Sequence, residues 1–303
     1  AEKLQAPVLT SPEAKGVISD SHPLSMGMLN MGYAPLAEWV RERDLFFIIG
    51  DAKANSDLLM GKIVITLDTV PSKISTNNIN PIEIVGDQRT NFDELNIVLA
   101  QRRQVENTEI LDSIRKGRFG PSEQLEPQAS FIKSIREAMP SNGILVQGMT
   151  QMGYYSRNYY PVFEPNTYLT ASHATLGHTL PVALGAKIAK PDDPVLALSG
   201  DGGLLYNSQE IATAVQYGIN VIIVVFNDNA YGNVLRAQKE EFDGHIIGTK
   251  LHNPDFVKLA ESYGVSSVRV QEASELEAAL DMAIGADTVS LIEVPVGEME
   301  RRY

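Results

Sequence analysis

Two polar clusters carry residue types able to hold a charged cofactor. The first is Gly200-Asp201-Gly202-Gly203, the second Asn227-Asp228-Asn229-Ala230-Tyr231-Gly232. Asp201 and Asp228 lie 27 positions apart. Two carboxylates converging in a cleft repel each other unless a cation sits between them. An oxygen-only donor set suits Mg2+ or Ca2+, and Mg2+ commonly completes its octahedron with phosphate oxygens. Gly200, Gly202 and Gly203 let the backbone approach a diphosphate, and the N-terminus of a following helix offers unpaired N–H donors. A lone Gly-Asp-Gly-Gly is most often a turn. Joined to the second cluster at this spacing, it becomes a candidate site.

Both clusters follow apolar runs of buried-strand length, 195–199 and 221–226, with a helix around 209–217 between them. A right-handed crossover lays two such strands side by side, and clefts of parallel α/β sheets open at their carboxyl ends. That arrangement brings Asp201 and Asp228 together. Around this unit the pattern predicts a helix over 129–138 and strands at 144–147 and 290–294. It also predicts a helix over 254–263 capped by Asn253 with Pro254 in its first turn, and a helix over 275–284 opened by a capping box of Ser274 and Glu277.

The first hundred residues alternate in the same fashion. Strands are expected at 7–10, 44–50, 62–67 and 81–85, and helices at 35–43 and about 91–103. From Gln104 to Gln128 the apolar period is lost and the chain becomes charged, with Gly and Pro, which reads as an inter-domain connection. The expected fold class is α/β, with two doubly wound parallel-sheet units of which the first is incomplete. Residues 1–103 would form the later part of one domain, 104–128 a linker and 129–303 a second domain. The opening Ala-Glu-Lys-Leu-Gln-Ala-Pro reads as the middle of a domain.

The chain has 303 residues, 44% apolar and 21% charged, which is ordinary globular composition. A formal charge of −13 argues against nucleic acid, which needs a basic face. There is no cysteine, so disulfides, thiolate metal sites and a cysteine nucleophile are excluded. No apolar run reaches the ~20 residues of a membrane span and there is no signal-peptide pattern, so a cytoplasmic protein is expected.

The glycine-aspartate-glycine cluster followed at this distance by Asn227-Asp228 resembles the metal–diphosphate signature of thiamine diphosphate (ThDP) enzymes. The whole chain is similar to the acetolactate synthase, benzoylformate decarboxylase and pyruvate oxidase superfamily, from the later part of the central domain through the pyrophosphate-binding domain. The resemblance implies that Asp201, Asp228 and the Ala230 carbonyl ligate Mg2+, although the family usually has asparagine at 228. Gly200, Gly202, Gly203, Tyr231 and Gly232 would lie against the cofactor. Gly148-Met149-Thr150-Gln151-Met152 resembles a second diphosphate loop, with Gln151 and Met152 reaching the substrate pocket. Ala174-Thr175-Leu176-Gly177 resembles the segment that bends the coenzyme. There Leu176 would wedge between its rings and the Ala174 carbonyl would accept from its amino group. His173 and His178 flank that segment; each is either an acid–base group or a structural residue. Arg236 meets a substrate carboxylate or is a solvated surface residue.

The resemblance further implies decarboxylation or carboligation of 2-oxo acids, by chemistry that the cofactor itself carries. These enzymes activate the coenzyme with a glutamate on a pyrimidine-binding domain, which this sequence does not show. It is expected on a partner chain or a longer polypeptide, within a homo-oligomer of dimers. The contrasting expectation is a cofactor-binding fragment or subunit that is inactive by itself. Branched-chain acetolactate synthases carry a tryptophan where this chain has Ala237, which leaves room for a different acceptor. Their FAD-holding residues have no match after Gly50, so FAD is not supported.

Overall fold

The computed structural model describes residues 1–50, 56–71, 80–99, 108–118, 120, 124–170 and 175–300. They form two compact units, one of Ala1–Ser11 with Pro23–Gly120, the other of Pro12–His22 with Pro121–Tyr303.

In the first unit, β1 (Val8–Thr10) pairs in parallel with β2 (Ser25–Met28). A separate parallel sheet runs in chain order through β3 (Leu45–Ile49), β4 (Ile63–Asp68) and β5 (Ile82–Val85). Helix Ala34–Arg41 has Pro35 in its first turn, where a missing N–H costs nothing, and buries Leu36, Ala37 and Val40 on one face.

The segment 104–128 departs from the reading as a connection. It contains helix Thr108–Arg118, whose Leu111 and Ile114 bury in one cluster with Met26, Tyr33, Leu36, Val40 and Leu58. Two apolar residues three apart in a charged stretch are enough to dock one helix face, yet too few to show a period. The first unit therefore runs past residue 103 to Gly120. Residues 12–22 depart as well, since they belong to the second unit. There the Asp20 N–H donates to the Val162 carbonyl and Asp20 Oδ2 accepts from the Val162 N–H, both at 2.8 Å.

The second unit is a six-stranded, all-parallel sheet. Its strands are β6 (Ile144–Gln147), β7 (Tyr168–Thr170), β8 (Val195–Gly200), β9 (Ile222–Asn227), β10 (Ser266–Arg269) and β11 (Ser290–Pro295), in the spatial order β10-β11-β9-β8-β6-β7. β7 lies on one side of β6 and β8 on the other, so the winding reverses there. Crevices of open parallel sheets form at the carboxyl ends of strands at such a reversal.

Alternate strand residues bury on opposite faces. Leu145, Leu196, Leu198, Val224, Phe226 and Ile292 pack on one side, with Phe131 meeting Phe226 edge-on at 5.3 Å. Val146, Ala197, Ile223, Val225 and Leu291 pack on the other, with Leu180, Ile211 and Phe256. Two covered faces explain why these strands read as unbroken apolar runs.

The helix caps sit two residues from their expected places. Helix Phe256–Ser262 is capped by Asp255, which accepts from the Lys258 N–H, and not by Asn253. Helix Ala273–Ala286 has its capping box at Glu272 and Glu275, and not at Ser274 and Glu277.

The packing of helix Thr108–Arg118 gives a direct test. Leu111→Ala should cost about 2–4 kcal/mol by removing a buried side chain, whereas exposed Ile110→Ala should stay within about 0.5 kcal/mol. Denaturant unfolding of the two variants side by side measures the difference, and equal effects would place the helix off the core.

Candidate functional site

Strand register brings the two polar clusters to one level. Gly200 at the end of β8 stands opposite Phe226 of β9, so Asp201 and Asn227 leave the sheet together. Gln147 of β6 stands opposite Leu198, which puts the 148–152 loop beside them on the other flank.

The Asp201 side chain is buried. Burial pushes its carboxyl upward, while Asn253 and the backbone N–H groups of Gly202, Ala230 and Asn229 hold it back. Asp228 is half-buried and pushed up to about 7, first by burial and then by the Asp201 carboxylate, with which it is in hydrogen-bonding contact. The two acids therefore converge as their spacing implies, and the pair is destabilised as a dianion.

Ala230 sits in an antiparallel bridge with Lys250. Its ladder bonds run from the Leu251 N–H to the Asn229 carbonyl (2.8 Å) and from the Tyr231 N–H to the Thr249 carbonyl (2.9 Å), leaving the Ala230 carbonyl outside the pair. Asn229, at φ 55°, makes the left-handed turn that presents this loop.

The glycines have a second task that the sequence does not reveal. A Cβ on Gly202 would fall 2.5 Å from Tyr231, and one on Gly232 would clash with the Asp228 carboxylate. One on Gly200 would press Thr150 at 3.2 Å. They let the loops close on one another, quite apart from any approach to a phosphate. Gly203 faces Leu176, whose Cδ2 lies 3.9 Å from a Cβ built there. Gly148 packs so closely on β8 that a Cβ would meet the Leu198 carbonyl and Thr179 Oγ1 at 2.7 Å.

Around the second loop, Arg157 reaches Gln147 Oε1 at 3.2 Å and Met149 Sδ at 3.3 Å. Gln151 and Arg236 come together: with the Gln151 amide oxygen turned toward the guanidinium, it accepts from both terminal nitrogens at 3.1 and 3.2 Å. Arg236 also donates to Asn233 at 2.5 Å, so it is anchored on helix Gly232–Glu241, which carries the half-buried Ala237 as well. Met152 is a correction. Expected to line the substrate pocket, it is fully buried in the core beside Phe131 and Leu145, because the second residue of helix Gln151–Tyr159 turns inward.

His178 has its ring held between the Thr175 and Gln147 carbonyls, at 2.8 and 3.1 Å, which is a structural role. His173 and Ala174 lie outside the described residues. Two contacts escaped the sequence reading. Asn207 donates to the Gly177 carbonyl at 2.7 Å and ties down the 175–177 segment, and Asn253 donates to Asp201 Oδ2 at 2.6 Å. No local pattern marks either one.

This donor set fits a divalent cation completed by phosphate. Among the described residues no cluster of three or more His, Cys, Asp or Glu exists that would hold a metal unaided. Two carboxylates and a backbone carbonyl leave the remaining positions to oxygens of a bound group.

The fold and site thus define a parallel α/β domain with paired acids at adjacent strand ends. Residues 148–294 match the family model "Thiamine pyrophosphate enzyme, C-terminal TPP binding domain", and residues 1–95 match "Thiamine pyrophosphate enzyme, central domain". The chain belongs to the thiamine pyrophosphate enzymes, named for the same coenzyme as ThDP. It is 29% identical over 326 residues to a probable acetolactate synthase large subunit of Methanococcus aeolicus, covering 97% of this chain and 54% of the relative. A probable 2-ketoarginine decarboxylase of Pseudomonas aeruginosa is also 29% identical, with the same two coverages. The crystal structure of benzoylformate decarboxylase from Polynucleobacter necessarius superposes with a TM-score of 0.78 at 25% identity, covering 99% of this chain and 58% of that one. The chain spans about half the length of the curated relatives it matches. No helix among the described residues is long and apolar enough to cross a membrane.

The acid pair has a pH signature in metal-stripped protein. Well below its ordinary value of 3.8 the Asp228 carboxyl is protonated both folded and unfolded. As pH rises from there through 7 the unfolded chain gives up this proton while the folded state holds it until it must ionise beside Asp201, and stability is lost. Asp228→Asn should be nearly silent at about pH 3 and stabilise by about 1–3 kcal/mol at about pH 8, allowing for solvent screening. Denaturant unfolding in chelator at the two pH values checks this, and an equal effect at both would contradict it.

Proposed function

We propose that this chain supplies the Mg2+- and diphosphate-binding half of a ThDP enzyme that decarboxylates 2-oxo acids, or ligates them after decarboxylation. The observation that carries the reading is the convergence of Asp201 and Asp228 at neighbouring strand ends, lined by glycines that bring the loops close together. Asp201, Asp228 and the Ala230 carbonyl would hold Mg2+, and Thr150 together with the N–H groups around Gly202 and Gly203 would hold the diphosphate. When bound, ThDP supplies the nucleophilic carbon and the electron sink that 2-oxo acid decarboxylation requires.

The chain's own residues bind and orient. Leu176, beside Gly203, would pack against the coenzyme, and Asn207 keeps its segment fixed. Arg236, held by Gln151 and Asn233, offers a guanidinium to a substrate carboxylate, for which a planar pair of donors is well suited. Ala237, next along that helix, leaves acceptor space that a larger side chain would fill. The activating glutamate is assigned to a pyrimidine-binding domain of a longer polypeptide or a partner chain, in an oligomer built from dimers. Relatives named as acetolactate synthase and as decarboxylase support both outcomes of the reaction and do not separate them.

Two measurements on the whole protein follow. Asp201→Ala should abolish Mg2+-dependent ThDP binding in calorimetric titration; unchanged affinity would remove the metal assignment. Ala237→Trp should change acceptor preference when pyruvate is offered with acceptors of different size. An identical product spectrum would take Ala237 out of the pocket.

A further inference from the structure

Asn253 stands apart from both polar clusters in sequence, yet its amide is the point where they meet. Its Nδ2 donates to Asp201 Oδ2 at 2.6 Å and to Asn227 Oδ1 at 2.8 Å, with Asn229 Oδ1 at 3.4 Å. Turned the other way, the amide would set its oxygen against three oxygens, so only one orientation is acceptable. Its own Oδ1 is buried with no partner among the described residues. The side chain is free for this because the helix cap belongs to Asp255.

The orientation is imposed from farther back. Asn227 Nδ2 donates to Glu293 Oε1 at 2.8 Å, and a carboxylate can only accept. Asn227 must therefore turn its oxygen toward Asn253, where the Asn229 N–H also reaches it at 3.2 Å. Glu293 is buried and its charge is met by Arg269, whose Nε and Nη2 both lie 2.8 Å from Oε2. Arg269 is braced in turn by Asp255 at 2.8 Å. Each link from Arg269 to Asp201 has one permitted direction, and each buried member that lost its partner would bear the cost of an unsatisfied polar group.

We propose that Asn253, oriented by the buried Glu293–Asn227 pair, is the positioning residue that fixes the Asp201 carboxylate for the cation of this site. The inference rests on the metal–diphosphate reading above. Residues behind a metal ligand typically govern about 10–100-fold in metal affinity, and this relay is built to act in that way. It runs from the β10–β11 edge to the end of β8.

The test uses the whole protein with Mn2+ as the probe, read by electron paramagnetic resonance with and without ThDP. Circular dichroism serves as the check on folding. Asn253→Ala should weaken ThDP-dependent Mn2+ binding about 10–100-fold and broaden the bound-Mn2+ spectrum as the carboxylate loses its single orientation. Glu293→Gln should shift both readouts in the same direction by less, and the double variant should bind no worse than Asn253→Ala alone. A folded Asn253→Ala protein that binds Mn2+ like the unsubstituted one overturns the proposal. Losses that simply multiply in the double variant overturn the relay. Should Asn253→Ala not fold, an unchanged affinity in Glu293→Gln overturns it. Failure of the unsubstituted protein to bind Mn2+ with ThDP would instead strike the metal–diphosphate reading on which all of this depends.

Discussion

Two carboxylates placed side by side at the ends of buried strands repel each other, and the rest of the second unit is organised around that repulsion. Asp228 is driven up to about 7 by burial and by Asp201. A fold rarely keeps such a pair unless something positive completes it. Asp201 accepts from Asn253 and three backbone N–H groups, whereas Asp228 accepts only from backbone N–H groups, so the cost falls chiefly on Asp228. The asymmetry makes Asp201 the fixed, buried anchor, and in the proposed metal site Asp228 on the loop would be the member that answers to a cation.

Holding the anchor still requires a rigid base, and the sheet provides it. β8 and β9 lie in the middle of six parallel strands with apolar layers on both faces. The site occupies their carboxyl ends next to the reversal at β6, where loops can diverge without disturbing the ladder. Close approach is then secured by missing side chains. A Cβ on Gly148 would strike β8, one on Gly202 would strike Tyr231 of the facing loop, and one on Gly200 would press Thr150. The three loops of the site are thus one packed object, and a methyl group at any of these positions would pry it apart.

Much of this was legible in the sequence because it follows from local pattern. Unbroken apolar runs announced buried parallel strands, and the acids just beyond two of them announced the site. What escaped depended on contacts that no spacing encodes. Asn253 precedes a proline and reads as a cap, yet Asp255 two residues on takes that role and leaves Asn253 to Asp201. Glu293 reads as an unremarkable charge in a strand until Arg269, on the neighbouring strand, is seen to neutralise it. Met152 follows Gln151 directly, but a helix separates adjacent residues by about 100°, so one faces Arg236 and the other the core. Helix Thr108–Arg118 hides its two anchoring residues among charges. In each case a tertiary partner decides the outcome, and the partner is distant in the chain.

The described side chains also indicate how the chemistry divides. Among the described residues, three groups near the strand ends are held by fixed partners: His178 lies between two carbonyls, Asp201 accepts from Asn253 and backbone amides, and Arg236 donates to Gln151 and Asn233. Groups held this tightly are suited to binding charge, and poorly suited to exchanging protons during turnover, since each transfer would break a bond that keeps the site in shape. A site of this kind lowers a barrier by presenting a prearranged set of dipoles and charges to a bound group that carries the reactive atoms. That division agrees with the proposal that activation comes from a glutamate beyond this chain. It also fits the proposed relay from Arg269 through the buried Glu293 and Asn227 to Asn253, which would orient a single carboxylate.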